Sequence, residues 1–153
     1  MKKLDLIGPG GLALALLLVA QPASAAKPAK AVGNGRPLSA TMTGAAEKPK
    51  PGDPDGKGSA VLRVNHGQGQ VCYDIQVADI SAATMAHIHK APPTEAGPVV
   101  IPLKAPDATG KVSGCAKADS ALIKDILQNP AAYYVNVHTA DFPAGAIRGQ
   151  LSK

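Results

Sequence analysis

Between Ala60 and Val77 the chain alternates apolar and polar side chains twice, on either side of a glycine-rich turn. Ala60, Leu62 and Val64 face one way and Val61, Arg63 and Asn65 the other. After Gly67-Gln68-Gly69, the residues Val71, Tyr73, Ile75 and Val77 alternate with Cys72, Asp74 and Gln76. A period of two is that of a strand with one buried face, and two such runs across a short turn make an antiparallel hairpin. Comparable short runs recur at 38–43, 85–89, 98–103, 111–117, 132–138 and 145–151, separated by Gly, Pro and Asp. About eight short strands at this spacing predict an all-β fold, an antiparallel, Greek-key-like β-sandwich. Pro49, Pro51 and Pro54 make residues 47–56 a loop, because proline cannot serve in a central strand. One short helix is expected over residues 119–128. Asp119 or Ser120 caps it, Leu122, Ile123, Ile126 and Leu127 form its apolar stripe, and Asn129-Pro130 stops it. The chain lacks both a βαβ repeat and a G-x-G-x-x-G, which sets aside the nucleotide-binding α/β folds.

The N-terminus reads as a targeting segment. Lys2 and Lys3 precede the apolar stretch 12–20, and Ala23-Ser24-Ala25 is a small-residue cleavage site. This predicts a signal peptide over residues 1–25. The apolar stretch is too short to span a bilayer, which takes ~20 residues, so no stable membrane span is expected once the leader is cut. Residues 26–36, rich in Ala, Lys, Pro and Gly, read as a flexible tether. Residues 37–152 then form one domain, in a periplasmic or secreted protein. With no Trp and one Phe, its core must be built mostly of Val, Ile, Leu and Ala. The formal charge of +5 is scattered and lacks interleaved aromatics, so nucleic acid is not an expected partner.

Cys72 and Cys115 lie in separate strand-like runs, each among polar neighbours of matching parity. In an oxidising compartment an even pair favours one disulfide.

Three of the four histidines sit in two strand-like runs, Ala86-His87-Ile88-His89 and Tyr133-Tyr134-Val135-Asn136-Val137-His138-Thr139. His87 and His89 share a face, as do His138, Asn136 and Tyr134. If the two strands are neighbours, with Ile88 against Val135 and Val137, all three imidazoles emerge on one side. That side is either a hydrogen-bonding polar face or a metal site of His87, His89 and His138, for which copper or zinc is suited. His66, in Asn65-His66-Gly67, reads as a solvated hairpin end. Tyr134, Asn136 and Arg148 share the polar parity if the last hairpin pairs Asn136 with Arg148, and would then edge a small-molecule or glycan face. Arg148 is otherwise expected to be a surface residue or a member of an ion pair, with Asp141 as the candidate partner. Gly145 and Gly149 read as positions of tight turns or close packing, Phe142 as a plug capping one end of the fold, and Glu47 as an acceptor of backbone hydrogen bonds.

Residues from Pro37 to Leu151 resemble the CHRD domain family, which takes its name from chordin. The likeness is carried by Ala86-His87-Ile88-His89, by Gly97-Pro98-Val99-Val100, and by the long block from Tyr133-Tyr134-Val135-Asn136-Val137-His138-Thr139 through Phe142-Pro143-Ala144-Gly145-Ala146-Ile147-Arg148-Gly149-Gln150-Leu151. The resemblance implies an extracytoplasmic β-sandwich without a defined reaction. The growth-factor-binding, cysteine-rich modules that accompany these domains in chordin have no counterpart here.

Two functions follow as expectations. The first is a non-catalytic structural or binding module without a cofactor, whose partner is a protein or another envelope component. No Ser stands in a nucleophile elbow and no carboxylate pair is marked by its setting. The alternative is a copper- or zinc-binding β-sandwich using the three-histidine face. His87-Ile88-His89 resembles the H-x-H ligand pair of copper-zinc superoxide dismutase, although that enzyme's additional histidines and aspartate are missing here. Both expectations leave the oligomeric state open.

Overall fold

The computed structural model describes residues 33–153. The expected leader, and the tether up to residue 32, lie outside them. Eight strands and one helix follow in chain order: β1 (Arg36–Thr43), β2 (Lys57–Asn65), β3 (Gln70–Ala78), β4 (Ala83–Lys90), β5 (Val99–Leu103), β6 (Lys111–Lys117), α1 (Ser120–Gln128), β7 (Tyr133–Thr139) and β8 (Ile147–Gln150). All pairings are antiparallel, in the order β5-β4-β7-β8-β1-β2-β3-β6. The fold is thus all-β, as the alternation predicts, but the layers of the expected sandwich belong to one continuous sheet. It curls until its edge strands, β5 and β6, approach one another. Tyr73 helps to bridge the gap: its hydroxyl lies over Gly114 of β6 and accepts a hydrogen bond from Lys104 N, just past β5, at 3.0 Å.

The core fills the inside of the curl. Met42, Leu62, Val71, Ile75, Ile88, Ile101, Val135 and Ile147 are each at most 1 % exposed, and burying one such side chain is worth about 1.5–3 kcal/mol. Tyr133 is fully buried, with its hydroxyl on Asp125. Asp119 caps α1 by accepting from Ala121 N and Leu122 N, and the helix turns Ile123 and Ile126 into the core. Cys72 and Cys115 face each other in register across β3 and β6 and form a disulfide. Gly33 packs against Cys72 Sγ, and Arg36, assigned above to the tether, is already the first residue of β1.

Among the described residues, no helix is long and apolar enough to cross a membrane.

Candidate functional site

Strand β7 is buried at every position. One face, with Tyr133, Val135 and Val137, meets the core. The other is polar and continues onto β4 and β8 in three rows set by the register: Met85 beside His138, then His87 beside Asn136 and Arg148, then His89 beside Tyr134 and Gln150. Ile88 pairs with Val135 on the core side, which places His87, His89 and His138 together on the outer side. One ring nitrogen from each lies within 4.8 Å of the others. The pairing of Asn136 with Arg148 is the register that brings Tyr134, Asn136 and Arg148 onto one face.

Loops cover this face, which explains why polar strand residues are buried. His138 Nδ1 donates to Pro143 O at 3.0 Å and His89 Nδ1 to Gly97 O at 2.9 Å. Both acceptors are carbonyls, so both Nδ1 atoms carry the proton. A neutral ring then has its lone pair on Nε2. His87 Nδ1 lies 3.1 Å from His138 Nε2 and donates to it. His89 Nε2 is buried and has no hydrogen-bond partner. Burial holds all three imidazoles below the ordinary histidine range. His138 and His89 depress His87 further, and His138 and Arg148 add to the effect at His89. The cluster is therefore uncharged near neutral pH, the state that can ligate a metal. His89 and His138 are 8 % and 6 % exposed, whereas His87 is only half-buried and opens the cluster to solvent.

Beside the histidines the polar side chains are spent on the covering loops. Arg148, 1 % exposed, donates to Glu95 O at 2.6 Å and to Pro92 O at 2.8 Å, and lies 3.5 Å over the Tyr134 ring. The His89 ring stacks on the same tyrosine, with centroids 4.8 Å apart. The Tyr134 hydroxyl accepts from Gly97 N, and Gln150 Nε2 donates to Ala91 O. Arg148 is thus neither at the surface nor paired with Asp141, which accepts from Ser81 instead. Tyr134, Asn136 and Arg148 are all buried on this face, Tyr134 and Arg148 bonded to the loop at residues 92–97 and Asn136 to Glu47.

Glu47, 3 % exposed, accepts from Asn136 Nδ2 at 2.6 Å. Burial pushes its carboxyl up to about 7, against the pull of Arg148 and the bond from Asn136. Periodicity gave no sign that a side-chain amide would meet it. Gly145 has φ +147°, and a Cβ there would fall 2.4 Å from Asn136 Nδ2 and 2.5 Å from Glu47 Oε1, so this position must remain glycine for the two to meet. A Cβ at Gly149 would likewise fall 2.2 Å from the Thr41 carbonyl oxygen of β1. Phe142 is half-buried and lines a shallow cavity of about 230 Å³ beside Glu47. It lies outside the hydrophobic core, so it does not plug the fold. His66 is exposed at the β2–β3 turn, with Nε2 2.9 Å from Ser120 Oγ.

Residues 38–151 match the CHRD domain, which covers most of the chain. The chain belongs to the CHRD domain family. Neither the curated proteins nor the solved structures contain a match to it. The two histidine strands and the block after Phe142 that carry the resemblance are the segments that build the polar face and its cover. Membership in the family supports a domain with a binding or structural role.

Proposed function

We propose that this CHRD domain is a non-catalytic binding module that works outside the cytoplasm, and that its ligand is a transition-metal ion, copper or zinc, held by His87, His89 and His138. The observation that carries the reading is His89 Nε2, a lone pair buried without a partner beside two further imidazoles. Most buried side-chain polar atoms are paired, and an unpaired one costs about 1–3 kcal/mol. A metal ion would satisfy this atom. The backbone bonds from His89 and His138 already set the tautomer that directs Nε2 inward, as carbonyl partners do for metal-bound histidines. Nitrogens at 2.0–2.1 Å from a tetrahedral ion lie about 3.3 Å apart, close to the 3.1 Å between His87 Nδ1 and His138 Nε2. His87 would give up its Nδ1 proton and carry one on Nε2, so a neutral ring remains neutral. Three imidazoles and a solvent position suit Zn²⁺ and either copper oxidation state better than Mg²⁺ or Ca²⁺. The leader-like N-terminus and the Cys72–Cys115 disulfide support a location outside the cytoplasm.

A second reading has its own observation. The bonds to Gly97 O and Pro143 O tie two loops to the sheet without any metal, which makes the histidines structural. One experiment separates the two. Tag-free protein is loaded with Zn²⁺ or copper, desalted and analysed for metal, alongside the His89→Ala protein. The proposal predicts one chelator-removable ion per chain, lost in the variant. A wild-type protein that retains no metal, with a variant that is merely less stable, would leave the structural role alone.

A further inference from the structure

The outer face of β4 carries one more residue with donor chemistry. Met85 precedes His87 by two positions on that face and pairs in register with His138 on β7. Residues directly opposite each other on neighbouring strands have Cβ atoms about 4.5–5.5 Å apart. The side chain of methionine is unbranched, with three rotatable bonds that let it reach across such a spacing. Met85 is also 46 % exposed, one of two large exposed hydrophobics among the described residues. Its strand neighbours on the inner side, Ala86 and Ile88, are fully buried. Met85 is therefore an exposed residue on the row next to the half-buried His87. Thioether sulfur is a soft donor that favours Cu(I), whereas Zn²⁺ is well served by imidazole and water.

We infer that the site is a copper site of the His₃Met type, with Met85 as the fourth ligand to Cu(I). This rests on the three-histidine reading above and adds the identity of the metal and of one ligand. Met85 takes the position that a water would hold around Zn²⁺. Selectivity between the two ions then resides in one side chain outside the core, which can be changed without disturbing the fold.

The sulfur inventory makes the inference testable. Among the described residues, Met42 is fully buried in the core, and both cysteines are in the disulfide. Cu(I) and Zn²⁺ affinities are measured by competition with chromophoric chelators for the wild-type, Met85→Leu and His89→Ala proteins. X-ray absorption at the copper edge reads the ligand shell. The inference predicts a sulfur scatterer at about 2.3 Å in the wild-type Cu(I) protein and its loss in Met85→Leu. It also predicts a Cu(I) affinity lower by about tenfold or more in Met85→Leu, with Zn²⁺ affinity changed by less than about twofold. Cu(I) bound with nitrogen ligands alone and unaffected by Met85→Leu, yet lost in His89→Ala, would overturn the inference and leave the three-histidine site intact. Failure of the wild-type protein to bind either ion would overturn both.

Discussion

Glu47 shows how much a single residue can owe to what covers it. Its carboxyl is raised from 4.5 to about 7, burial being the main cause, with the Arg148 and Lys48 charges and the bonds from Asn136 and the Lys48 backbone acting the other way. A raised acid pKa stabilises the fold fully below the unfolded value of 4.5, and that stability is lost as pH rises through about 7. The cost above pH 7 is on the order of 3 kcal/mol. Glutamine retains an acceptor for Asn136 Nδ2 without the charge. Chemical denaturation at pH 5 and pH 8 is therefore expected to show Glu47→Gln gaining stability relative to wild type as pH rises. A difference between the two proteins that does not change with pH would contradict this. At the same scale, the alternation placed the three histidines, Asn136 and Arg148 on one polar face. It could not show that face being covered, because parity reports the side of a strand and not what folds over it. Arg148 accordingly meets Glu95 and Pro92 carbonyls instead of Asp141.

Among the elements, the hairpins and α1 follow local pattern closely. Asp119 caps a helix that ends at Gln128, and β2 and β3 flank the predicted glycine turn. The β4–β5 loop is different, since it is held by Arg148 and Gln150 of β8 and Tyr134 of β7, together with His89 of β4. Arg148→Lys retains the charge but loses the fork that reaches two carbonyls and the planar stack on Tyr134. It should cost about 1.5–3 kcal/mol and make residues 91–98 the first site of limited proteolysis. An unchanged digestion pattern would rule out this clasp. Strand β6 ends the sheet order and is held to β3 by the disulfide, whose cysteines are 43 residues apart. Closing a loop of that length is worth about 4 kcal/mol on the chain-entropy account. Replacing both cysteines with alanine should lower stability by about 2–4 kcal/mol and let β6 amides exchange before those of β1 and β2. Equal protection across the sheet would show that the bond is not what anchors this edge.

For the molecule as a whole, the alternating runs specify strands with one apolar face, and that face has room only inside a closed or stacked sheet. They do not specify strand order. The neighbours β3 and β6, like β4 and β7, are joined through long connections, so the single curled sheet depends on tertiary pairing that no local period encodes. The curl places the core on its inside and leaves the polar rows of β4, β7 and β8 outside, under three loops. The outcome is a curled sheet carrying a small, neutral, nitrogen-rich cluster with one half-buried member. The most direct test of that account is long-range ¹H–¹⁵N NMR of the imidazoles during a Zn²⁺ titration of the folded protein. Before metal, His87, His89 and His138 should each be neutral with the proton on Nδ1. One equivalent of Zn²⁺ should shift Nε2 of His89 and His138 and move the His87 proton to Nε2, leaving His66 unchanged. Histidine spectra that stay the same throughout, or a shift confined to His66, would contradict it.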